Sequence, residues 1–371
     1  MSTKGAHLLV LLSDAFGGFG GISQYNRDLL TALCALDEVA SVEALPRIAK
    51  EPLGDLPAKL TFTLAGRGGY AKYVLAALRR GLLGPRPDIV LCGHINLLPL
   101  ARLIARIRGA RLVLLIFGID AWVPTSRKWV NSLTGTVDQV VSISQVTLDR
   151  YLEWAGAPRL GSALLPNAIH LEDYAVGPKA PDLVEKFGLA GRVVLMTFGR
   201  MAGRERAKGF DRMIETMPRL LERDPRFTYL IAGTGDDMPR LKRKAADFGV
   251  AERVVFTDLV PEDRKADYFR LADVYVMPSR GEGFGFVFLE AMACGIPAVA
   301  SRSDGGFEAI REGQLGIAVD PLDSEAIMEG VFEALQRPRA IPAGLSYFAF
   351  PNFRERARQI LFGTQSVTEA S

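Results

Sequence analysis

The sequence predicts an α/β protein built from two doubly wound parallel-sheet domains of similar size. Three observations favour this class. Short runs rich in Val, Ile and Leu alternate with longer stretches of helical period, the alternation resumes after a segment rich in Pro and Gly, and 371 residues is a length typical of two domains. Hydrophobic residues make up 49% of the chain and charged residues 23%, which excludes a disordered protein.

The first series of predicted strands occupies the N-terminal half of the chain. A helix is expected over residues 22–36, directly after the first strand. Strands that alternate with helices in this way are typical of a parallel sheet covered on both faces. The predicted strands of this series are residues 8–13, 42–46, 89–92, 112–117, 137–143 and 163–166.

A second series follows residues 167–189, whose Pro, Gly and mixed charges are typical of a linker. We place the boundary near residue 171, which predicts domains over 1–170 and 171–345. A C-terminal helix within 346–363 is expected to cross back onto the first domain. The predicted strands of the second series are residues 193–199, 227–232, 254–257, 274–277, 298–301 and 316–319.

Basic residues are concentrated in the first domain. Residues 1–170 hold 18 Lys and Arg against 12 Asp and Glu, and the stretch 59–128 holds 12 against 2. Such a patch suits anionic lipid head groups or a phosphate-bearing substrate, or is only a solvated basic face. Residues 97–108 mix apolar and basic side chains at helical spacing, as in a helix on a membrane surface or a helix packed on the sheet. Nucleic acid is not an expected partner, because no aromatic platform accompanies the charge.

The expected location is cytoplasmic. No run approaches the roughly 20 apolar residues that a membrane span needs, and the apolar segment 8–12 is shorter than a signal-peptide core. Cys34, Cys92 and Cys294 lack metal-ligand or redox spacing, which is typical of a reducing compartment.

A glycine-rich loop follows the first predicted strand. Gly17, Gly18, Gly20 and Gly21 precede a helix, where free backbone amides and the helix dipole favour an anion. A dinucleotide-binding loop is a competing interpretation, although Ser23 stands where its third glycine belongs. A third interpretation is that the glycines keep the loop thin so that another domain can approach it.

Two cations lie at the carboxyl edge of the second predicted sheet, where open α/β sheets bind ligands. Arg200 follows the strand 193–199, and Lys208 stands at the next helix start. Cations in these positions suit a diphosphate, and simple surface charge is the alternative.

Residues 278–297 carry the most specific pattern. A buried strand leads into alternating glycines and then into an apolar helix with one carboxylate, Glu290. A buried carboxylate needs donors, either the hydroxyls of a ribose or a structural ion pair with Arg200 or Lys208. Glu282, in the loop before the helix, is expected at the same edge.

These segments resemble the retaining glycosyltransferases of the GT-B fold, specifically glycosyltransferase family 4, and the bacterial mannosyltransferases and hexosyltransferases of polysaccharide assembly. The resemblance covers nearly the whole chain and implies two Rossmann-like domains that face a cleft. The matching segments are GGFGGISQYNRDLL from Gly17, LPNAI from Leu165, GR at Gly199, KGFD at Lys208, IAGTGD from Ile231 and EGFGFVFLEAMACGIPAV from Glu282.

The resemblance implies roles for individual residues. Glu290 would hold the ribose hydroxyls of the nucleotide, Glu282 would lie near the donor sugar, and Arg200 with Lys208 would neutralise the diphosphate. Backbone amides would contact the phosphates or the sugar from two loops, namely those of Gly283, Phe284 and Gly285 in the second domain and those of Gly20 and Gly21 in the first.

One position departs from the family pattern. Phe117 stands where family members often have a sugar-contacting histidine. Asp120, at the same sheet edge, is the better replacement for contact with an acceptor or sugar hydroxyl. His94 is the other candidate, although a lone histidine at a strand end is more often structural.

The resemblance therefore predicts an enzyme that moves a hexose from a nucleoside diphosphate sugar to a glycan or lipid-linked acceptor, with retention, at the inner face of the cytoplasmic membrane. Neither a cofactor nor a metal is expected, because no Asp-x-Asp motif occurs and Asp236 with Asp237 suits helix capping. A nucleotide-sugar epimerase, a glycan phosphorylase and a non-catalytic sugar-binding protein remain alternatives.

Overall fold

The computed structural model describes residues 5–50, 52–203 and 206–363. The chain divides into two compact units, the first ending at Ala168 and resuming at Phe350, the second spanning Ile169–Ala349. Each unit contains one parallel β-sheet, of seven and of six strands. The predicted fold class is confirmed.

In the first unit, the strand order of the sheet is β3-β2-β1-β4-β5-β6-β7. The five helices interspersed with these strands are α1 (Gly21–Cys34), α2 (Tyr70–Leu83), α3 (Leu98–Arg108), α4 (Lys128–Asn131) and α5 (Gln145–Ala155). The strands are β1 (Ala6–Leu12), β2 (Val39–Pro46), β3 (Leu60–Phe62), β4 (Ile89–Cys92), β5 (Arg111–Ile116), β6 (Gln139–Ser142) and β7 (Ser162–Leu164).

The sequence pattern missed only β3 among the strands of this unit. Its three residues are partly or fully exposed, and they follow a stretch that contains Pro52, Gly54 and Pro57. An edge strand buries too little apolar surface to show the continuous apolar run of a central strand. By contrast, Leu8 to Leu12 of β1 are at most 2% exposed, because this central strand is covered on both faces.

In the second unit, the strand order is β10-β9-β8-β11-β12-β13. The strands are β8 (Val193–Phe198), β9 (Phe227–Ala232), β10 (Val254–Phe256), β11 (Val274–Met277), β12 (Ala298–Ser301) and β13 (Ile317–Val319). The helices are α6 (Pro181–Lys186), α7 (Phe210–Arg223), α8 (Met238–Asp247), α9 (Lys265–Arg270), α10 (Phe286–Ala293), α11 (Gly305–Ala309) and α12 (Ser324–Leu335).

The strand order of each sheet reverses at its centre, between β1 and β4 in the first unit and between β8 and β11 in the second. Connections leave two adjacent strands in opposite directions at such a switch point, which opens a crevice at their carboxyl ends. The loops that follow β8 and β11 hold Arg200, Lys208 and Glu282.

The last helix, α13 (Phe350–Phe362), packs in the first unit. The ring of Phe353 meets Tyr25 edge-on at 5.6 Å between centroids. At the other end of the helix, the guanidinium of Arg111 donates to the carbonyls of Leu361 and Ile360, at 3.0 and 3.1 Å. A cation suits this end because the final carbonyls of a helix lack intrahelical partners.

Within the described ranges, every helix is too short or too polar to cross a bilayer.

We expect Arg111→Ala to loosen α13 more than it affects any other helix of the first unit. Each lost charge-assisted hydrogen bond costs about 1.5–3 kcal/mol when its acceptor stays buried. Hydrogen–deuterium exchange of the amides of 350–362 should accelerate at least tenfold. Arg159→Ala is the matched control, since this 74% exposed side chain only approaches Asp138 at 3.8 Å. Equal exchange in both variants would refute the anchoring role of Arg111.

Candidate functional site

Glycines allow the loop after β8 to approach the loops after β9 and β11. A Cβ at Gly209 would lie 2.7 Å from the carbonyl oxygen of Pro278, which follows β11. A Cβ at Gly233, which follows β9, would lie 2.3 Å from the carbonyl oxygen of Gly199, which follows β8. Both glycines have positive φ, 86° and 123°. The amide of Arg280 donates to the carbonyl of Ala207 at 2.7 Å. Gly209 permits the close approach to Pro278, and this approach brings the loop of Lys208 against the loop of Glu282.

Lys208 and Glu282 form an ion pair at this edge of the sheet. Lys208 Nζ lies 2.8 Å from Glu282 Oε2, and the two side chains are 23% and 15% exposed. The sequence placed both residues at the edge but did not predict that they pair. Together they present a cation with its charge partly balanced and a carboxylate open to further hydrogen bonds.

Asp304 fixes the backbone around Glu282. One carboxylate oxygen, Oδ2, accepts from the Glu282 amide at 2.9 Å and from Ser279 Oγ at 2.7 Å. The carbonyl of Glu282 accepts from the Gly305 amide at 2.9 Å. Burial and the nearby charge of Glu282 raise the pKa of Asp304 to about 6, although the amide and hydroxyl donors oppose the rise. Sequence analysis missed Asp304, which follows β12 rather than β8 or β11.

Glu290 lies on α10 and is completely buried. Its Oε1 accepts from Lys265 Nζ at 2.6 Å and from the hydroxyl of Tyr174 at 3.1 Å. The alternative partners considered from the sequence, Arg200 and Lys208, are not the ones seen. Lys265 and Tyr174 come from α9 and from the segment that opens the second unit, and no sequence spacing links either of them to Glu290.

Tyr275, on β11, is a buried tyrosine whose pKa lies well above its usual range. Burial is the main cause, and the charges of both Glu282 and Glu290 raise the pKa further. Its hydroxyl also lies 3.5 Å from the amide nitrogen of Phe198. Glu282 lies in the loop that follows β11, and the Lys265 ammonium that pairs with Glu290 lies 5.6 Å from the centre of the ring of Phe198, the last residue of β8.

The amides expected to contact a ligand belong to a loop that is closely packed. Gly283, Phe284 and Gly285 are all buried, and the Phe284 ring meets Phe348 edge-on at 5.4 Å. Gly285 is the N-cap of α10, with φ of 94°. The side chain of Phe284 is therefore part of the packed interior of the second unit. Arg200 is exposed directly after β8.

The expected capping role of Asp236 and Asp237 is wrong. Asp237 occupies the N-cap position of α8, but its side chain makes no capping hydrogen bond. Its carboxylate accepts from Arg240 Nε at 2.8 Å instead, and Asp236 accepts from the amide of Gly203 at 2.9 Å. Across the part of the chain that the structure describes, no three His, Cys, Asp or Glu side chains form a group that could hold a metal ion.

In the first unit, Gly20 and Gly21 begin α1 and lie in the open. Gly20 is the N-cap, with φ of 92°, and a Cβ there would meet no atom within 4 Å. Gly21 is the first residue of the helix and is exposed. Close packing in this loop falls instead on Gly17, where a Cβ would lie 1.8 Å from the carbonyl oxygen of Lys50.

Asp120 and His94 differ in how their polar atoms are used. Burial raises the pKa of Asp120 to about 7, and no described residue hydrogen-bonds its buried Oδ2. His94 Nδ1 accepts from the amide of Asn96 at 3.0 Å and caps a short 3-10 helix, and burial lowers its pKa. This supports the structural interpretation of His94. Phe117, in the position of the missing histidine, is buried edge-on against Tyr25 at 5.2 Å.

Comparisons with known proteins place the chain in a family. Residues 192–337 match the family described as "Glycosyl transferases group 1". The GDP-mannose-dependent alpha-(1-6)-phosphatidylinositol monomannoside mannosyltransferase of Mycolicibacterium smegmatis is 34% identical over 294 residues, which cover 73% of this chain and 76% of that relative. Its counterpart in Mycobacterium tuberculosis H37Rv is 31% identical over 230 residues, 60% of this chain and 59% of that relative.

Solved structures agree with this placement at the level of the fold. Anabaena HepE in complex with UDP and glucose has a TM-score of 0.76 at 20% identity, over 97% of this chain and 100% of that one. The lipopolysaccharide outer core galactosyltransferase WaaB has a TM-score of 0.72 at 16% identity, over 96% and 99% of the two chains. The chain belongs to the group 1 glycosyltransferases of the GT-B fold.

Proposed function

We propose that the protein is a retaining hexosyltransferase of family 4 that transfers mannose from GDP-mannose to a hydroxyl of a glycan or lipid-linked acceptor in polysaccharide or glycolipid assembly. The observation that carries the proposal is the ion pair of Lys208 with Glu282, which joins the loops after β8 and β11 at the switch point of the second sheet. This ion pair and the buried Glu290 fall within the segment that matches the group 1 family. The choice of mannose and GDP follows the GDP-mannose dependence in the name of the M. smegmatis relative.

The second unit supplies the groups that a nucleoside diphosphate sugar needs. Lys208 and Arg200 would neutralise charge that develops on the leaving diphosphate, together with the amides of Gly283 to Gly285 near the N-terminus of α10. Glu282 would accept hydrogen bonds from the donor sugar, while Glu290 would hold the ribose. Gly20 and Gly21, at the exposed start of α1, would offer amides to an anionic group of the substrate.

We propose front-face attack. As the bond between the anomeric carbon and the leaving phosphate oxygen breaks, the acceptor oxygen bonds to the same face of that carbon, and the departing phosphate takes the proton of the acceptor hydroxyl. Asp120 would accept a hydrogen bond from an acceptor or sugar hydroxyl. Positive charge on Arg200 and Lys208 does the electrostatic work in this scheme, which needs no metal ion or cofactor.

We also propose that the first unit binds an anionic membrane surface through a basic and apolar face made by α2 and α3. The exposed apolar side chains are Leu75 (69%) and Leu83 (81%) on α2, with Leu103 (46%) and Ile107 (59%) on α3. Neither helix contains Asp or Glu, and Arg79 and Arg106 are exposed beside them. Cations around exposed apolar groups suit anionic head groups and the start of the acyl chains.

The two helices are clamped together at their C-terminal ends. Arg108 of α3 donates to the carbonyls of Leu82 and Gly84 at 3.1 and 3.0 Å, and Arg86 donates in return to the carbonyl of Arg108 at 2.8 Å. The other face of α3 is buried, as in a helix packed on the sheet, and the membrane proposal concerns only its exposed face. The clamp holds Leu83 and Ile107 on neighbouring helix ends.

Ligand-induced stabilisation tests the donor site. We expect one diphosphate from a panel of GDP, UDP, ADP and dTDP to raise the melting temperature of the wild type, with about 2.7 kcal/mol added at 100 times the dissociation constant. Glu290→Ala and Lys208→Met should lose this response, whereas Lys242→Met, at an exposed lysine on α8, should keep it. A response to NAD alone, or to no nucleotide, would disprove the proposal.

Product analysis separates the alternatives. A transferase forms product only when acceptor is present, and NMR of that product should show retained anomeric configuration. Product without acceptor would identify an epimerase, dependence on free phosphate would identify a phosphorylase, and an unchanged donor would indicate a binding protein.

The pH dependence of kcat/KM for the acceptor tests Asp120. Since the ionised carboxylate is the acceptor of the proposed hydrogen bond, activity should rise with pH through about 7, the pKa of Asp120. Asp120→Asn should lose about tenfold to a hundredfold above pH 7 and show no such step. The exposed Asp55→Asn should behave as wild type. An unchanged step in Asp120→Asn would contradict the role.

The stability of Asp120→Asn provides an independent check of the same shift. A raised carboxyl pKa means that the folded protein binds the proton more tightly than the unfolded chain, so wild-type stability falls as pH rises from about 4 through 7. The variant should lack this fall and should be at least as stable as wild type at pH 8.

Vesicle co-sedimentation tests the membrane proposal. We expect binding to phosphatidylglycerol vesicles, little binding to phosphatidylcholine vesicles, and at least tenfold weaker binding of the double variant Leu83→Glu with Ile107→Glu. The matched control is Leu259→Glu with Leu322→Glu, which changes two exposed leucines of the second unit, 75% and 54% exposed. If both double variants lost vesicle binding equally, the loss would be due to the change in net charge. That result would refute the proposal that the face made by α2 and α3 binds the membrane.

A further inference from the structure

The two carboxylate oxygens of Glu290 are used unequally. Oε1 accepts from both Lys265 and Tyr174, whereas Oε2 is buried and no described residue donates to it. A buried carboxylate oxygen without a hydrogen-bond donor lowers the stability of the folded protein, because burial removes its hydrogen bonds to water and no protein group replaces them. The arrangement is completed only when another donor reaches Oε2.

Lys265 is held firmly enough to fix the carboxylate. Its side chain is only 13% exposed, and its ammonium lies 2.6 Å from Glu290 Oε1 and 5.6 Å from the centre of the Phe198 ring. Burial opposes its charge, yet attraction to Glu290 and Glu262 keeps the pKa of Lys265 above its usual value. The ammonium lies beside Phe198, the last residue of β8.

Tyr174 constrains the same oxygen from a second direction. It follows a 3-10 turn at Leu171–Asp173, and its hydroxyl lies 3.1 Å from Oε1. Burial and the charge of Glu290 raise the pKa of this phenol, which keeps it a donor. With two donors on Oε1, rotation of the carboxylate is opposed, and Oε2 keeps one orientation.

We propose that Lys265 and Tyr174 are positioning residues that hold Oε1 of Glu290 so that Oε2 accepts a hydrogen bond from a ribose hydroxyl of the bound nucleotide. This inference rests on the proposed function, because it requires a nucleotide at the switch point. Since Glu290 is fully enclosed, the ribose reaches Oε2 only after a neighbouring side chain moves. The fixed carboxylate then supplies an oriented acceptor rather than one that must first reorganise.

Calorimetric titration of paired nucleotides tests the inference. The probes are whichever of GDP, UDP and ADP binds wild type most tightly, and its 2′,3′-dideoxy counterpart, which lacks the hydroxyls that Glu290 would hold. We expect wild type to prefer the ribose form at least tenfold. In Lys265→Met the preference should shrink below about threefold, with the dideoxy affinity within twofold of wild type. Tyr174→Phe should lose part of the preference, and Lys265→Arg should restore most of it.

General damage to the protein has a different signature. A purely structural role for Lys265 would weaken both nucleotides equally, and an unchanged preference in Lys265→Met would show that Glu290 needs no such support; either result overturns the inference. If Lys265→Met does not fold, the ribose preference of Tyr174→Phe tests the inference instead, because this substitution removes only one oxygen atom and leaves the ring in place. Lys242→Met, which removes an exposed lysine 5.3 Å from the Phe256 ring, is the matched control and should match wild type.

The outcome also separates this inference from the proposed function. If no diphosphate binds wild type, the proposed donor site is wrong, and the inference that depends on it is wrong as well. If a diphosphate stabilises wild type and Glu290→Ala loses that response, while Lys265→Met and Tyr174→Phe keep the full ribose preference, only the positioning roles are lost.

Discussion

The adjacency of β8 and β11 at the centre of the second sheet is the constraint on which the candidate site depends. Parallel strands place their following loops at one edge, and the reversal of strand order there keeps both loops uncovered by a crossover helix. Lys208 and Glu282 are far apart in the chain and still pair at 2.8 Å. Without this adjacency, the charged residues of the site would be scattered over separate surfaces.

Buried charge at this edge is stabilised by specific partners rather than by solvent. Asp304 accepts hydrogen bonds from the amide of Glu282 and the hydroxyl of Ser279. Glu290 accepts hydrogen bonds from the ammonium of Lys265 and the phenol of Tyr174. Such networks add little net stability, because desolvation offsets much of the attraction, but they fix orientation. A site that must recognise a flexible, highly charged ligand gains from carboxylates that are already oriented before the ligand arrives.

The first unit places its chemistry and its charge on different elements. Asp120 and the loop at Gly20 follow the carboxyl ends of β5 and β1, where a ligand edge is expected. The exposed arginines and leucines lie on α2 and α3, two helices that are clamped to each other through Arg108. A surface of this kind can attract an anionic lipid layer without altering the groups at the sheet edge, because the two sets share no residue.

The sequence by itself determined the alternation of strands and helices and the class of both sheets, because buried parallel strands need continuous apolar runs. It also predicted the segments of the candidate site, because tight loops need glycine at fixed positions. The sequence did not predict the short edge strand β3, because this strand buries too little apolar surface to show a continuous apolar run. Only the tertiary structure decided that Glu290 pairs with Lys265 and Tyr174 rather than with Arg200 or Lys208. Hydrogen-bond partners depend on distances of a few tenths of an ångström between distant segments, and no local spacing encodes them.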